Sequence, residues 1–247
     1  MVRQPFRVLF LTALLLGTTA CAATVTALKY KDLEVQSKMS ETIFLDPVSA
    51  DKRTIWIDVK NTSDQDVDLA ALAGSIAAKG YRVVSDPNQA QYLLQANVLY
   101  VGKASQAAVD QAIGAGYGGS LAGIAVGGIA GAGIGQSPAG VGIGAAAGGL
   151  IGGAVEVVSG ALVKAVMFTV ITDIQLSERS DVPVAQEQVA YLAQGSQTRV
   201  HQQVASTSAW KRHRTRVAST ATQVNLRFEE AKPTLVQGLV KSLSGVL

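Results

Sequence analysis

The alternation of apolar and polar positions changes character along the chain and divides it into three parts. In residues 54–59, Ile55, Ile57 and Val59 alternate with Trp56 and Asp58, the period of a half-buried strand. Residues 42–45, 81–84 and 92–101 read as strands too. Between them a helix is predicted over 69–79, ending at Gly80 in a good C-cap position. After residue 164 the pattern returns as a β-branched run over 165–176, weaker strands at 188–192 and 199–205, and clean alternation over 217–228 through Val224, Leu226 and Phe228. A closing helix follows, with Pro233 in its first turn and Glu229 and Glu230 at the positive end of its dipole. Leu235, Val236, Leu239, Val240, Leu243 and Leu247 share one face, which core packing would bury.

The middle part breaks this pattern. Residues 111–155 carry no charge, and 17 of those 45 residues are glycine. In steps of four, glycine falls at Gly119, Gly123, Gly127, Gly131 and Gly135. After Gln136-Ser137-Pro138-Ala139 it falls again at Gly140, Gly144, Gly148 and Gly152. Four-residue steps are helix steps, and a row of glycines lets a second helix approach to backbone distance. The stretch reads as a glycine-zipper membrane hairpin with its turn at Ser137 and Pro138. Either arm as a helix would reach on the order of 35 Å, against a hydrocarbon core of about 30 Å. The first arm holds few large aliphatics, so insertion should depend on packing between subunits. A flexible linker would carry Ser, Thr or charge where this stretch carries Ile, Val, Leu and Ala.

The N-terminus bears on location. Arg3 and Arg7 precede an apolar core over 8–16 and the small-residue exit Gly17-Thr18-Thr19-Ala20, the layout of a secretory signal peptide. Cys21, the single cysteine, follows at once. The arrangement resembles a bacterial lipoprotein lipobox, with Thr18 where Leu is usual. The resemblance implies diacylglyceryl on the Cys21 sulfur and an acyl group such as palmitate on the new N-terminus, a two-signal anchor that holds firmly. Ala22, in place of the Asp common in lipoproteins kept at the inner membrane, points to the outer membrane.

Charge and motifs exclude several classes. The net charge of +3 drops to +1 without Arg3 and Arg7, too little to suggest nucleic acid. Lys211-Arg212-His213-Arg214-Thr215-Arg216 is the one cationic cluster and reads as a solvated strand face. Asp64-x-Asp66-x-Asp68 lacks the glycine and glutamate of a calcium loop, having Leu69 and Ser75 there. Gly114-x-Gly116-x-x-Gly119 has no acidic ribose partner before Glu156. His201 and His213 have no further ligands to make a metal cluster, and no nucleophile elbow appears. Neither an active site nor a cofactor is expected beyond the covalent lipid.

Five stretches carry a family resemblance: LEVQSKMSETIFLDP at 33–47, VKNTSDQD at 59–66, LLQANVL at 93–99, FTVITDIQLSER at 168–179 and VNLRFEEAKPTL at 224–235. With them the chain resembles the TraT family of surface-exclusion and complement-resistance lipoproteins. The resemblance implies a lipid-anchored, surface-exposed outer-membrane homo-oligomer that blocks redundant conjugation and reduces killing by complement. Its partners would be itself, outer-membrane lipid and surface components of the donor cell. An oligomeric export pore is the competing class. The expected fold class is α+β, a single mixed sheet-and-helix periplasmic domain interrupted by the transmembrane helical hairpin and closing into a ring-like homo-oligomer. Its expected parts are signal peptide 1–20, lipidated tether 21–40, domain 41–110 plus 165–247, and hairpin 111–164.

Overall fold

Two long strands organise the described part of the chain. The computed structural model describes residues 28–121, 124, 165–194 and 198–247, with side chains for all of these outside 186–206. Its strands are β1 (Glu34–Met39), β2 (Thr54–Asn61), β3 (Arg82–Val83), β4 (Tyr92–Lys103), β5 (Ala165–Gln194) and β6 (Thr198–Val224). They form one sheet in the order β1-β6-β5-β4-β2-β3. The pairs β1–β6, β6–β5 and β5–β4 are antiparallel, while β2 runs parallel to both β4 and β3. A parallel neighbour needs a crossover. Between β2 and β3 the helix α1 (Ala71–Ala77) supplies it, closing near Gly80, whose φ of 86° suits glycine.

Both faces of the central strands are covered, which is why residues 165–176 read as a near-continuous apolar run. On one face Leu94, Ala96, Val98, Phe168, Val170, Ile174, Leu176, Val217 and Ala221 are buried with Leu72 and Ile76 of α1. The closing helix α3 (Phe228–Gly245) lies over them and buries Leu235, Leu239, Val240 and Leu243. Burying each such side chain is worth about 1.5–3 kcal/mol. On the other face α2 (Gln106–Ala115) sets Ala108, Val109 and Ala112 against Met167, Ile171 and Ala218, with Ile124 in the same cluster. The Ser105 hydroxyl caps α2 by accepting from the Ala108 N–H at 3.1 Å.

The expected fold class is corrected here. The described chain is a mostly β sheet with three helices, and among the described residues no helix is long and apolar enough to cross a membrane. The stretch expected as separate strands after 164 is a single hairpin of two strands, 30 and 27 residues long. Sequence periodicity suggested breaks because polar residues interrupt it, but a strand leaving the sheet needs no apolar face. Beyond Arg179 and Trp210 the two strands pair only with each other, from Val184 opposite Ser208 to Gln194 opposite Thr198. Pro183 lies in the register shift at that point. At about 3.4 Å per residue the ribbon reaches roughly 35 Å.

Two further elements differ from expectation. Residues 42–45 form no strand, and β1 lies in the stretch read as tether. Helix α3 starts at Phe228, so Pro233 sits inside it and not in its first turn. The start is held instead by Arg227 and Glu230: the Arg227 N–H donates to Glu230 Oε2 at 3.3 Å and its guanidinium to Oε1 at 2.6 Å.

Leu235 of α3 is fully buried against the sheet. Leu235→Ala should therefore cost about 2–5 kcal/mol. Val182, 67% exposed, should tolerate alanine within about 0.5 kcal/mol. Urea denaturation of the two variants separates these outcomes.

Candidate functional site at the root of the glycine segment

Strand alternation splits the basic run between the two faces of the sheet. Lys211, His213 and Thr215 fall on the α3 side, and Arg212, Arg214 and Arg216 on the α2 side. The solvated-face reading fails for Arg216, which has no solvent exposure. Its neighbours in register make the reason plain: Arg216 pairs with Asp173, and α2 covers both. The Arg216 Nε donates to Asp173 Oδ1 at 2.6 Å and Nη2 to Oδ2 at 3.0 Å, a bidentate pair.

The remaining donors of Arg216 hold backbone. Nη1 donates to the Ala112 carbonyl near the end of α2 at 3.2 Å, and Nη2 to the Gly119 carbonyl at 2.9 Å. The Gly118 N–H donates to Asp173 Oδ2 at 2.8 Å. One ion pair thus fastens the end of α2 and the first residues of the glycine segment to β5 and β6. The path between them requires glycine: Gly116, with φ 67°, ends α2, and Gly118 follows with φ 70°. The residues expected to open the first hairpin arm, 111–115, are instead the last turn of α2.

Next to the pair, Arg214 Nε donates to Gln175 Oε1 at 2.8 Å, and its guanidinium stands 5.2 Å from the Tyr117 ring centroid. On the opposite face Lys211 donates to Asp46 at 2.7 Å, a bond that holds the Asp46 carboxyl below its usual range. His213 Nε2 lies 4.0 Å from the buried Glu178 carboxylate. Burial first, and Glu178 second, push the Tyr92 phenol up to about 12.

Of the residues singled out in the sequence, Gly119 is placed in this clamp. Gly123, Gly127, Gly131, Gly135, Gly140, Gly144, Gly148 and Gly152 lie outside the described residues, as do Ser137, Pro138 and Cys21. Asp68 accepts from the Ala70 N–H at 2.8 Å ahead of α1, a turn role and not that of a calcium ligand. The Arg216–Asp173 pair was not singled out. A signal did exist: Asp173 is the one charge within residues 165–176, and a carboxylate in such a strand needs a buried counter-charge.

Fold and site together define a sheet protein that carries a glycine-rich insertion clamped to one of its faces. A family model described as "Enterobacterial TraT complement resistance protein" matches residues 32–247, and the chain belongs to this family. A TraT complement resistance protein of Escherichia coli is 41% identical over 236 residues, 94% of each chain. Another from Escherichia coli is 39% identical over the whole of both chains. One from Wigglesworthia glossinidia brevipalpis is 26% identical over 98% of this chain and 96% of its own.

Breaking the buried pair from one side strands a charge. Arg216→Met should cost about 3–5 kcal/mol in urea denaturation, and adding Asp173→Leu should recover most of that. The double variant still lacks the donors to Ala112 and Gly119, so limited proteolysis should cut residues 116–121 faster than in the parent.

Tyr92 generates an alkaline prediction. Its folded pKa lies above the roughly 10 of an unfolded tyrosine. Its contribution is therefore fully present below pH ~10 and lost as pH rises through about 12. Tyr92→Phe should flatten the stability profile in that window, as measured by urea midpoints at stepped pH.

Proposed function

We propose that this chain is an outer-membrane lipoprotein, anchored through Cys21, that acts at the cell surface in complement resistance and in exclusion of redundant conjugation. The observation that carries the reading is family membership across nearly the whole length, with relatives bearing the name complement resistance protein on both sides of the glycine segment. The signal-peptide layout ending at Cys21 supports export and acylation. The mechanism is physical and not catalytic: an abundant anchored protein presents a surface that hinders contact by a donor cell or by complement components.

The same proposal includes assembly of several copies. Beyond the sheet, both outer edges of the β5–β6 ribbon have no partner strand among the described residues. An isolated two-stranded ribbon is marginal in water, and open edges template pairing with another chain. Copies of the same chain are the partners that a homo-oligomer supplies.

Cells expressing the chain should survive serum better than cells with an empty vector and should receive a matching conjugative plasmid less often. Cys21→Ser should abolish both effects and release the protein from the membrane fraction. Equal serum survival and equal mating frequency with and without the full-length chain would overturn the proposal.

A further inference from the structure

Beside the clamp, a cavity of about 270 Å³ opens between β2, β4, β5 and the loop after α2, lined by Asp58, Lys60, Gln95, Asn97, Tyr117 and Gln175 among others. Its size is just under the roughly 300–1,000 Å³ typical of small-molecule sites. It is polar although it lies on the sheet face where α2 covers apolar residues further along β5 and β6. Strand alternation explains the placement. Asp58 and Lys60 on β2 face the same way as Gln95 and Asn97, their register partners on β4, and these in turn are paired with Gln175 and Asp173 on β5.

The hydrogen bonds fix which way the amides point. Arginine can only donate, so Arg214 Nε at 2.8 Å makes Gln175 Oε1 an acceptor. Gln175 Nε2 must then be the donor to Gln95 Oε1, at 2.9 Å. That leaves the Gln95 Nε2 hydrogens for another acceptor. Asn97 Oδ1 is approached by the Thr62 hydroxyl at 3.2 Å, which turns the Asn97 NH₂ the other way. The side chains of Asp58 and Lys60 make no hydrogen bond or ion pair among the described residues. The pocket therefore presents amide donors, the unpaired Asp58 carboxylate beside the paired one of Asp173, and the Lys60 ammonium, next to Tyr117, which is 42% exposed.

This mixture discriminates between ligand classes. An anion such as phosphate would meet Lys60 but also the carboxylates of Asp58 and Asp173. A cation would meet the opposite difficulty. A neutral ligand whose every polar group both donates and accepts fits all of them: hydroxyls can donate to Asp58 and accept from Gln95, Asn97 and Lys60. The apolar C–H face of a sugar ring suits the exposed part of Tyr117. We infer that this cavity is a binding site for a single sugar residue, taken as the terminal unit of a glycan or as a monosaccharide. Arg214 is then a positioning residue, orienting the amide relay and the tyrosine ring.

The probes are D-glucose, D-galactose and N-acetyl-D-glucosamine, each at millimolar concentration, with the detergent-purified full-length chain. Saturation-transfer NMR should show contact with at least one of them. Gln95→Ala and Asp58→Asn should each weaken that binding by about tenfold or more. Arg227→Ala, at an exposed site on the helix α3 cap, should leave it unchanged, and thermal midpoints verify that all three variants fold. Arg214→Lys should weaken binding while retaining the fold, because an ammonium cannot reproduce the guanidinium over Tyr117. No saturation transfer from any of the three sugars would overturn the inference. So would binding unaffected by both Gln95→Ala and Asp58→Asn, or binding of phosphoethanolamine in preference to all three.

Discussion

A guanidinium with no access to water has to be neutralised where it stands, and this requirement fixes the geometry around Arg216. Asp173 provides the opposite charge, and the Ala112 and Gly119 carbonyls take the donors that the carboxylate cannot. Desolvation of such a pair offsets much of its Coulomb attraction, so it is weak evidence for net stability. Its value lies in specifying position. Only one register of β5 against β6 sets Asp173 opposite Arg216, and only one placement of α2 brings Ala112 within reach. A slip of one residue in either strand would turn that strand's charged side chain to the α3 face, among Val170, Ile174 and Val217, and leave its partner alone on the other face.

The two faces of the sheet then serve different purposes. The α3 face is a conventional core, and its energetics are those of buried leucine, isoleucine and valine. The α2 face is apolar only under Met167, Ile171 and Ala218, and becomes polar from Asp173 onward through Gln175, Gln95 and Asn97. The boundary coincides with the irregularity in β4, where the register shifts between Val98 and Tyr100. Such a bulge increases local twist. Past it, the Tyr100 ring lies so close to Gly102 that a Cβ there would sit 2.8 Å from the phenol oxygen and would push the ring aside. The phenol then donates to the Lys103 carbonyl at 2.7 Å, closing the strand just before α2.

Elements with both a period and a boundary residue were legible in the sequence. β2, β4, the helix before Gly80 and the buried face of α3 all followed from alternation or helix spacing. What sequence reading missed were features set by partners distant in the chain. β1 is polar and mostly exposed, and it is a strand because β6 offers it an edge. The hairpin beyond Arg179 has only a weak alternation, read as short strands at 188–192 and 199–205, and its full length was not legible because its pairing partner is its own return strand. The membrane hairpin was inferred from glycine spacing, and its opening residues proved to belong to α2, whose end is decided by positive φ at Gly116. The Arg216 clamp shows the same limitation: a basic run was visible, but which of its members would be buried depended on a helix more than 100 residues earlier.

The described ends of the glycine segment add one more constraint. Gly118 and Gly119 are held at the level of Asp173, whereas the chain re-enters the sheet at Ala165, eight residues back along β5 and so roughly 27 Å away. Leu121 and Ile124 cover part of that distance, because they pack in the cluster formed by Met167, Ile171 and Ala218. The outgoing chain is thus first fastened by charge and then laid along the sheet by apolar contact, toward the end where β5 begins. With the apolar cluster beside it, Arg216 itself has no exposure to water, so its bonds to the two backbone carbonyls meet no competition from solvent.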